Sequence, residues 1–183
     1  MPIMTNDKIQ SVSKQIAEGK KELTELKTAL EPKKIDDYKF INQENNTTNL
    51  SEMFGKHKYL VVIHNMGEAC SFCTMWANGF EGIYKHFDDK AGFVMVNHDS
   101  IEKQNKFAKK QGWTYPIYNA SENSFNKDLG FIANNCGLWP GVSTFRKNSD
   151  NSIDLLAQEE FGPGDEFCSV WHIYDLFPEN FSY

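Results

Sequence analysis

The chain of 183 residues is 40% apolar and 14% aromatic, and nineteen basic against twenty-five acidic side chains give it a net charge of −6. That is apolar content enough for one well-cored domain and too much for a disordered chain. A single arginine, Arg146, and the lack of a basic block argue against a nucleic-acid surface, and no run of eighteen apolar residues offers a membrane span. Between Asp7 and Leu30, the residues Ile9, Val12, Ile16, Leu23, Leu26 and Leu30 recur at alternating steps of three and four, with Gly19 in the remaining slot and Pro32 ending the run. The pattern predicts an amphipathic helix. Such a helix packs on the body of its own subunit, the reading that Gly19 and the short run favour, or forms a coiled-coil seam that makes a homodimer. The N-terminal "MPIMTNDKIQ" lacks the long apolar stretch of a signal peptide, so the cytoplasm is the expected compartment.

A polar connector follows, "INQENNTTNLSEMFGKH", with one helical turn over Asn49–Phe54. The chain thus divides into a helical arm with its connector, residues 1–50, and a domain over residues 51–183. In that domain "KYLVVIHNM" reads as a buried strand, and the stretch from Cys70 to Phe87 as a helix with one aromatic face, Phe72, Trp76, Phe80, Ile83 and Phe87. Gly79 and Gly82 weaken this helix and permit close packing or a bend. "GFVMVNHDS" is a second strand and "IEKQNKFAKKQG" a helix stopped by Gly112; "WTYPIYNAS" is extended and "ENSFNKDLGF" a short helix. "GVSTFRK" and "SIDLLAQEEF" form a hairpin across Asn148–Asn151, and "DEFCSVWHIYDLF" is a last helix capped by Asp165 and closed by Pro178. Parallel β-α-β units followed by a hairpin predict an α/β sheet covered on both faces.

Cys70 and Cys73 stand at a strand-to-helix junction. A helix N-terminus stabilises thiolate over thiol, and two intervening residues let a disulfide close within one turn. Cys70, at the outer end, is the expected nucleophile and Cys73 the resolving thiol. Glu68 opposes thiolate formation. A metal centre would need further ligands from His64, His98, Cys136 or Cys168, and one CxxC without a second pair is a weak zinc signal, so no metal or other cofactor is expected. His64 and His98 end successive strands, where both could face the site. In a reducing compartment the CxxC reads as redox chemistry rather than a structural staple.

The strings "KKELTELKTALEP", "NLSEMFGKHKYLVVIHNM", "CSFCTMWANGFEG", "GVSTFRK" and "YDLFP" resemble the thioredoxin-like family known as domain of unknown function 899, whose members are labelled dithiol-disulfide oxidoreductases or isomerases. The resemblance implies a thioredoxin-like fold with an N-terminal helical arm, a protein or small-molecule disulfide as substrate, and catalysis by Cys70 and Cys73. It also implies a substrate groove at Phe72, Trp76, Val142 and Ser143. Ser71 and Asn78 stand where the family usually has Pro and Asp, and Val142 fills the slot of the thioredoxin cis-proline, two residues after Pro140. The rival readings are a binding module without chemistry and a peroxiredoxin-like peroxidase, which "MVNHDSIEKQNKFAKKQGW" also resembles. A peroxiredoxin would carry Thr where Gly67 stands and an arginine nearer the facing strand than Arg146.

Overall fold

The computed structural model describes residues 6–87, 89–133 and 137–179. Helix α1 spans Asp7–Thr28, capped by Asn6, whose side chain accepts from the Ile9 N–H at 3.0 Å. Three short strands follow, β1 (Lys33–Ile35), β2 (Lys39–Ile41) and β3 (Thr47–Asn49), then the single turn α2 (Leu50–Met53). Strand β4 (Tyr59–His64) leads into α3 (Ser71–Ile83) and its 3-10 extension Tyr84–Phe87, then β5 (Ala91–Asn97) and α4 (Ile101–Gln111). The chain closes through β6 (Ile117–Asn119), α5 (Phe125–Asp128), the ribbon β7 (Ile132–Ala133) and β8 (Gly137–Leu138), the hairpin β9 (Gly141–Lys147) and β10 (Ile153–Glu160), and α6 (Ser169–Tyr174).

Eight strands form one sheet in the order β1-β10-β9-β4-β5-β6-β2-β3. Strands β4, β5 and β6 run parallel, and β9 lies antiparallel on β4 with His64 opposite Gly141 and Tyr59 opposite Arg146. This is the expected thioredoxin-like fold. The connector is a different matter: residues 33–49 supply β1 on β10 at one edge and the pair β2–β3 beyond β6 at the other. β1 and β3 are the outermost strands and β2 lies between β3 and β6, and strands of three residues are too short to show an alternating apolar face.

Alternation along β4 separates two cores. Leu60, Val62 and His64 face a layer closed by α2 and α5, with Phe40, Leu50, Phe54, Phe125, Phe131 and Phe145. Ile63 faces the layer under α3, α4 and α6, with Trp76, Phe80, Phe93, Phe161 and Trp171. Each such side chain contributes about 1.5–3 kcal/mol on burial, and edge-on rings such as Phe40–Phe125 at 5.0 Å lock their mutual orientation.

Three local expectations change. Gly79 and Gly82 permit no close packing: they lie on the solvent side of α3, with nothing within 4 Å of where a Cβ would stand. Asp165 caps a turn rather than the last helix, its carboxylate accepting from the Gly162, Phe167 and Cys168 N–H groups, and α6 begins only at Ser169. Finally, α1 is held to its own body by Lys20–Glu166 at 2.6 Å and by Lys27–Glu159, while Ile9, Val12, Ile16, Leu23 and Leu26 along it, and Leu30 just beyond it, remain 44–62% exposed. The helix touches the domain without burying its apolar stripe.

Candidate functional site

The two cysteines sit where β4 hands over to α3. Cys70 is the N-cap residue in extended conformation, and its sulfur accepts from the Cys73 N–H at 3.1 Å. The Cys70 carbonyl begins the helical ladder by accepting from Thr74 N at 3.1 Å, so the thiol cannot leave the helix mouth without uncapping α3. Cys70 is half-buried and Cys73 buried, and neither is bridged. The Cys73 thiol, with the backbone N–H groups of Cys73 and Phe72, holds the Cys70 thiol down to about 6 against the opposing effect of burial. The same contact, reinforced by burial, pushes Cys73 well above the usual thiol range. One sulfur is therefore anionic near neutrality and the other keeps its proton: an attacking thiolate beside a resolving thiol.

The loop ahead of Cys70 is fixed by groups that the spacing of the cysteines does not reveal. Asn65, buried at the end of β4, accepts from Gly67 N at 2.7 Å and donates to the Cys73 carbonyl at 3.4 Å. Asp99 accepts from Glu68 N at 2.7 Å and pairs with Lys103 at 2.6 Å. Lys103 also lies 3.9 Å from the Glu68 carboxylate, so the acid that would oppose the thiolate has a cation beside it. Gly67 has φ +89°, and a Cβ there would stand 2.4 Å from an Asp99 carboxylate oxygen. The turn-prone Asn65-Met66-Gly67 is the one sequence signal for this loop.

The expected groove is only partly assembled. Phe72 is 40% exposed next to Cys70, and its ring lies 6.4 Å from Trp76 and 5.8 Å from Trp171, both buried. Val142 packs against the same layer as Cys70. Ser143 does not belong to it: strand alternation turns its hydroxyl into the opposite layer, 2.8 Å from His64 Nε2. All peptide bonds among the described residues are trans, so neither Pro116 nor Pro140 supplies a cis bond.

His64 likewise points away from the cysteines. Its Nδ1 lies 2.7 Å from Asn126 Oδ1, its ring stacks on Phe131 at 3.8 Å, and burial lowers it to about 4. Asn126 uses its amide nitrogen on His98 Nε2 at 3.1 Å, which leaves its oxygen to accept from His64 and makes His64 Nε2 the acceptor of the Ser143 proton. Ser143, His64 and Asn126 thus repeat the pattern of a hydrolytic triad, but all three are at least 98% buried and no substrate reaches the serine. Among the described residues no three His, Cys, Asp or Glu side chains are grouped to share a metal ion. Cys168 is buried in the same layer as Cys73, and Cys136 lies outside the described residues. No helix among the described residues is long and apolar enough to cross a membrane.

The family described as bacterial protein of unknown function, DUF899, matches residues 7–180. The chain belongs to this family. Among curated proteins, the DUF899 chain is 26% identical over 124 residues to a chloroplastic peroxiredoxin Q of Gentiana triflora, covering 67% of this chain and 56% of that relative. A chloroplastic peroxiredoxin Q of Populus jackii is similar at 27% identity, so the chain spans little more than half the length of these relatives. Among solved structures, peroxidoxin BcpB of Mycobacterium tuberculosis superposes with a TM-score of 0.58 at 20% identity, over 70% of this chain and 84% of that one. A cysteine-to-serine mutant of Xanthomonas campestris peroxiredoxin Q gives 0.61 at 17% identity, over 76% and 90%. These structural likenesses concern the thioredoxin fold.

Proposed function

We propose that this DUF899 protein is a thiol-dependent peroxidase that cycles between a dithiol and a Cys70–Cys73 disulfide. The half-buried Cys70 sulfur at the mouth of α3, 3.1 Å from the Cys73 N–H, carries the reading, and the sequence similarity to peroxiredoxin Q favours a hydroperoxide as the oxidant. The Cys70 thiolate attacks one peroxide oxygen, the O–O bond breaks, and the other oxygen leaves as alcohol or water after taking a proton. Cys70 is then a sulfenic acid. Cys73 attacks its sulfur, the S–S bond forms and water leaves; an external dithiol returns two electrons and two protons. The cytoplasm, whose reducing poise regenerates dithiols, suits this cycle.

A second reading, reduction or isomerisation of protein or small-molecule disulfides, is favoured by what the site lacks. Gly67 offers no hydroxyl to a peroxide, and Arg146 is engaged with Asp154 at 2.7 Å, level with Tyr59 at the far end of β4. Reduced protein mixed in turn with hydrogen peroxide, an organic hydroperoxide and a mixed disulfide of glutathione separates the two. The peroxidase reading requires Cys70 to be consumed by peroxide faster than free cysteine at equal pH, and a dimedone-reactive sulfenic acid to accumulate in Cys73→Ser. If only the disulfide reacts, the second reading replaces the first. A module that merely binds a partner turns over with neither.

A further inference from the structure

We propose that α1 pairs with α1 of a second copy in antiparallel fashion, making the protein a homodimer. The helix is 22 residues long and none of them is buried. An isolated helix of that length with a central glycine is marginal in water and gains most of its stability from a covered apolar face. Two ion pairs to Glu166 and Glu159 hold it in place but leave the face open.

The pattern of that face says what covers it. Ile9, Val12, Ile16, Gly19, Leu23 and Leu26 occupy alternating steps of three and four with no apolar residue on either flank broadening the stripe into a sheet-packing face. That is the narrow seam of a two-helix coiled coil. Nor does the helix suit a bilayer surface: its charges nearly balance, Asp7, Glu18, Glu22 and Glu25 against five lysines, and it carries no aromatic anchor.

Register and direction follow from the same residues. Run antiparallel with Ile9 opposite Leu26 of the second copy, Val12 faces Leu23 and Ile16 fills the space over Gly19. The flanking contacts are then Gln15 with Glu22 and Ser13 with Lys20, with no like charges opposed. Sliding by one heptad sets Glu22 against Glu22 and Lys20 against Lys20. A parallel pair sets Gly19 against Gly19, leaving a hole, and asks Lys27 to leave Glu159 for Glu22 of the second copy. The exposed halves of these aliphatic residues amount to roughly 500 Å² per copy, short of the approximately 800 Å² of an average stable interface. Ile173 in α6 and Leu176 just beyond it, 52% and 82% exposed, are further uncovered apolar residues of the chain.

Sedimentation velocity on the full chain, from low to high micromolar, is the test. A monomer–dimer equilibrium is expected. Ile16→Glu, which puts a charge into the central layers of both copies, should weaken it at least 100-fold; Gly19→Leu should tighten it at least tenfold. Direction is read from Gln15: Gln15→Lys should tighten the dimer a few-fold through Glu22, and Gln15→Glu should loosen it. A parallel pair reverses that order, because Gln15 then faces Lys20. Unchanged near-ultraviolet dichroism and Cys70 alkylation rates certify that each variant is folded. A monomer at every concentration, a dimer indifferent to Ile16→Glu, or a dimer that Gln15→Glu tightens would each overturn the proposal.

Discussion

Replacing Cys73 with alanine tests why Cys70 is acidic. The largest influence on Cys70 is the Cys73 thiol, ahead of the backbone N–H groups of Cys73 and Phe72. Cys73→Ala deletes the thiol and leaves the backbone untouched, so Cys70 should climb from about 6 toward the ordinary thiol value. At pH 7 a thiol titrating near 6 is about nine-tenths thiolate, whereas one at the free value near 8.5 is about 3% thiolate, a ratio of about thirty. Part of that ratio is offset because a less acidic thiolate is the stronger nucleophile, leaving a fall of about threefold in rate at pH 7. The assay is iodoacetamide alkylation of Cys70 followed by peptide mass spectrometry between pH 4 and 10. Wild type should show a midpoint near 6, and Cys73→Ala one at least a unit higher with a faster plateau. Cys73→Ser, which keeps a donor, should fall between. If Cys73→Ala titrates with the wild-type midpoint, the helix mouth alone sets the acidity and the role given to the Cys73 thiol is wrong.

Burial lowers His64 to about 4, below its value of about 6.5 in an unfolded chain, so the unfolded state takes up the proton first. Stability is therefore full above about pH 6.5 and is lost as pH falls toward 4, by about 3 kcal/mol in all; urea unfolding at pH 7.5 and 4.5 should show this loss in wild type and a smaller one in His64→Gln. Gly67→Ala forces a Cβ to 2.4 Å from Asp99 at positive φ, and should cost more than about 1 kcal/mol and slow Cys70 alkylation; denaturant midpoints and alkylation rates at pH 7 check both. Arg146→Ala breaks the pair with Asp154 and should lower stability by about 1 kcal/mol while leaving the Cys70 alkylation rate at the wild-type value.

The central strands and the cysteine helix could be read directly, because buried β4 and β5 are continuous apolar runs and the apolar residues of α3 fall on one face. The position of Cys70 and Cys73 at the strand-to-helix junction was equally plain. Sequence reading missed what depends on orientation or on partners distant in the chain. Val142 and Ser143 are neighbours on β9, yet the pleat sends one toward the cysteines and the other toward His64; the same alternation separates Ile63 from His64. Applying the two-residue period to those strands would have removed Ser143 and His64 from the site. Asp99 and Lys103 act on the Cys70 loop from another β-α junction, about thirty residues on, and no local pattern announces that contact. Strands β1 to β3 escaped because three residues are too few to show an apolar alternation.

Those short strands bear on the order in which the protein can assemble. Residues 33–49 are made early: strands β2 and β3 can pair with each other at once, but β1 must wait for residues 153–155 and the β2–β3 ribbon for Asn119 before either joins the sheet. Strand β1 therefore stays unpaired until the β9–β10 hairpin exists, and docking it closes a loop of very long span, a topology that folds slowly. Once closed, the same short segment borders the sheet on both sides, so neither flank presents a long strand to a neighbouring molecule. The segment works as a clasp, and deleting residues 33–49 would uncover β10 on one side of the sheet and β6 on the other.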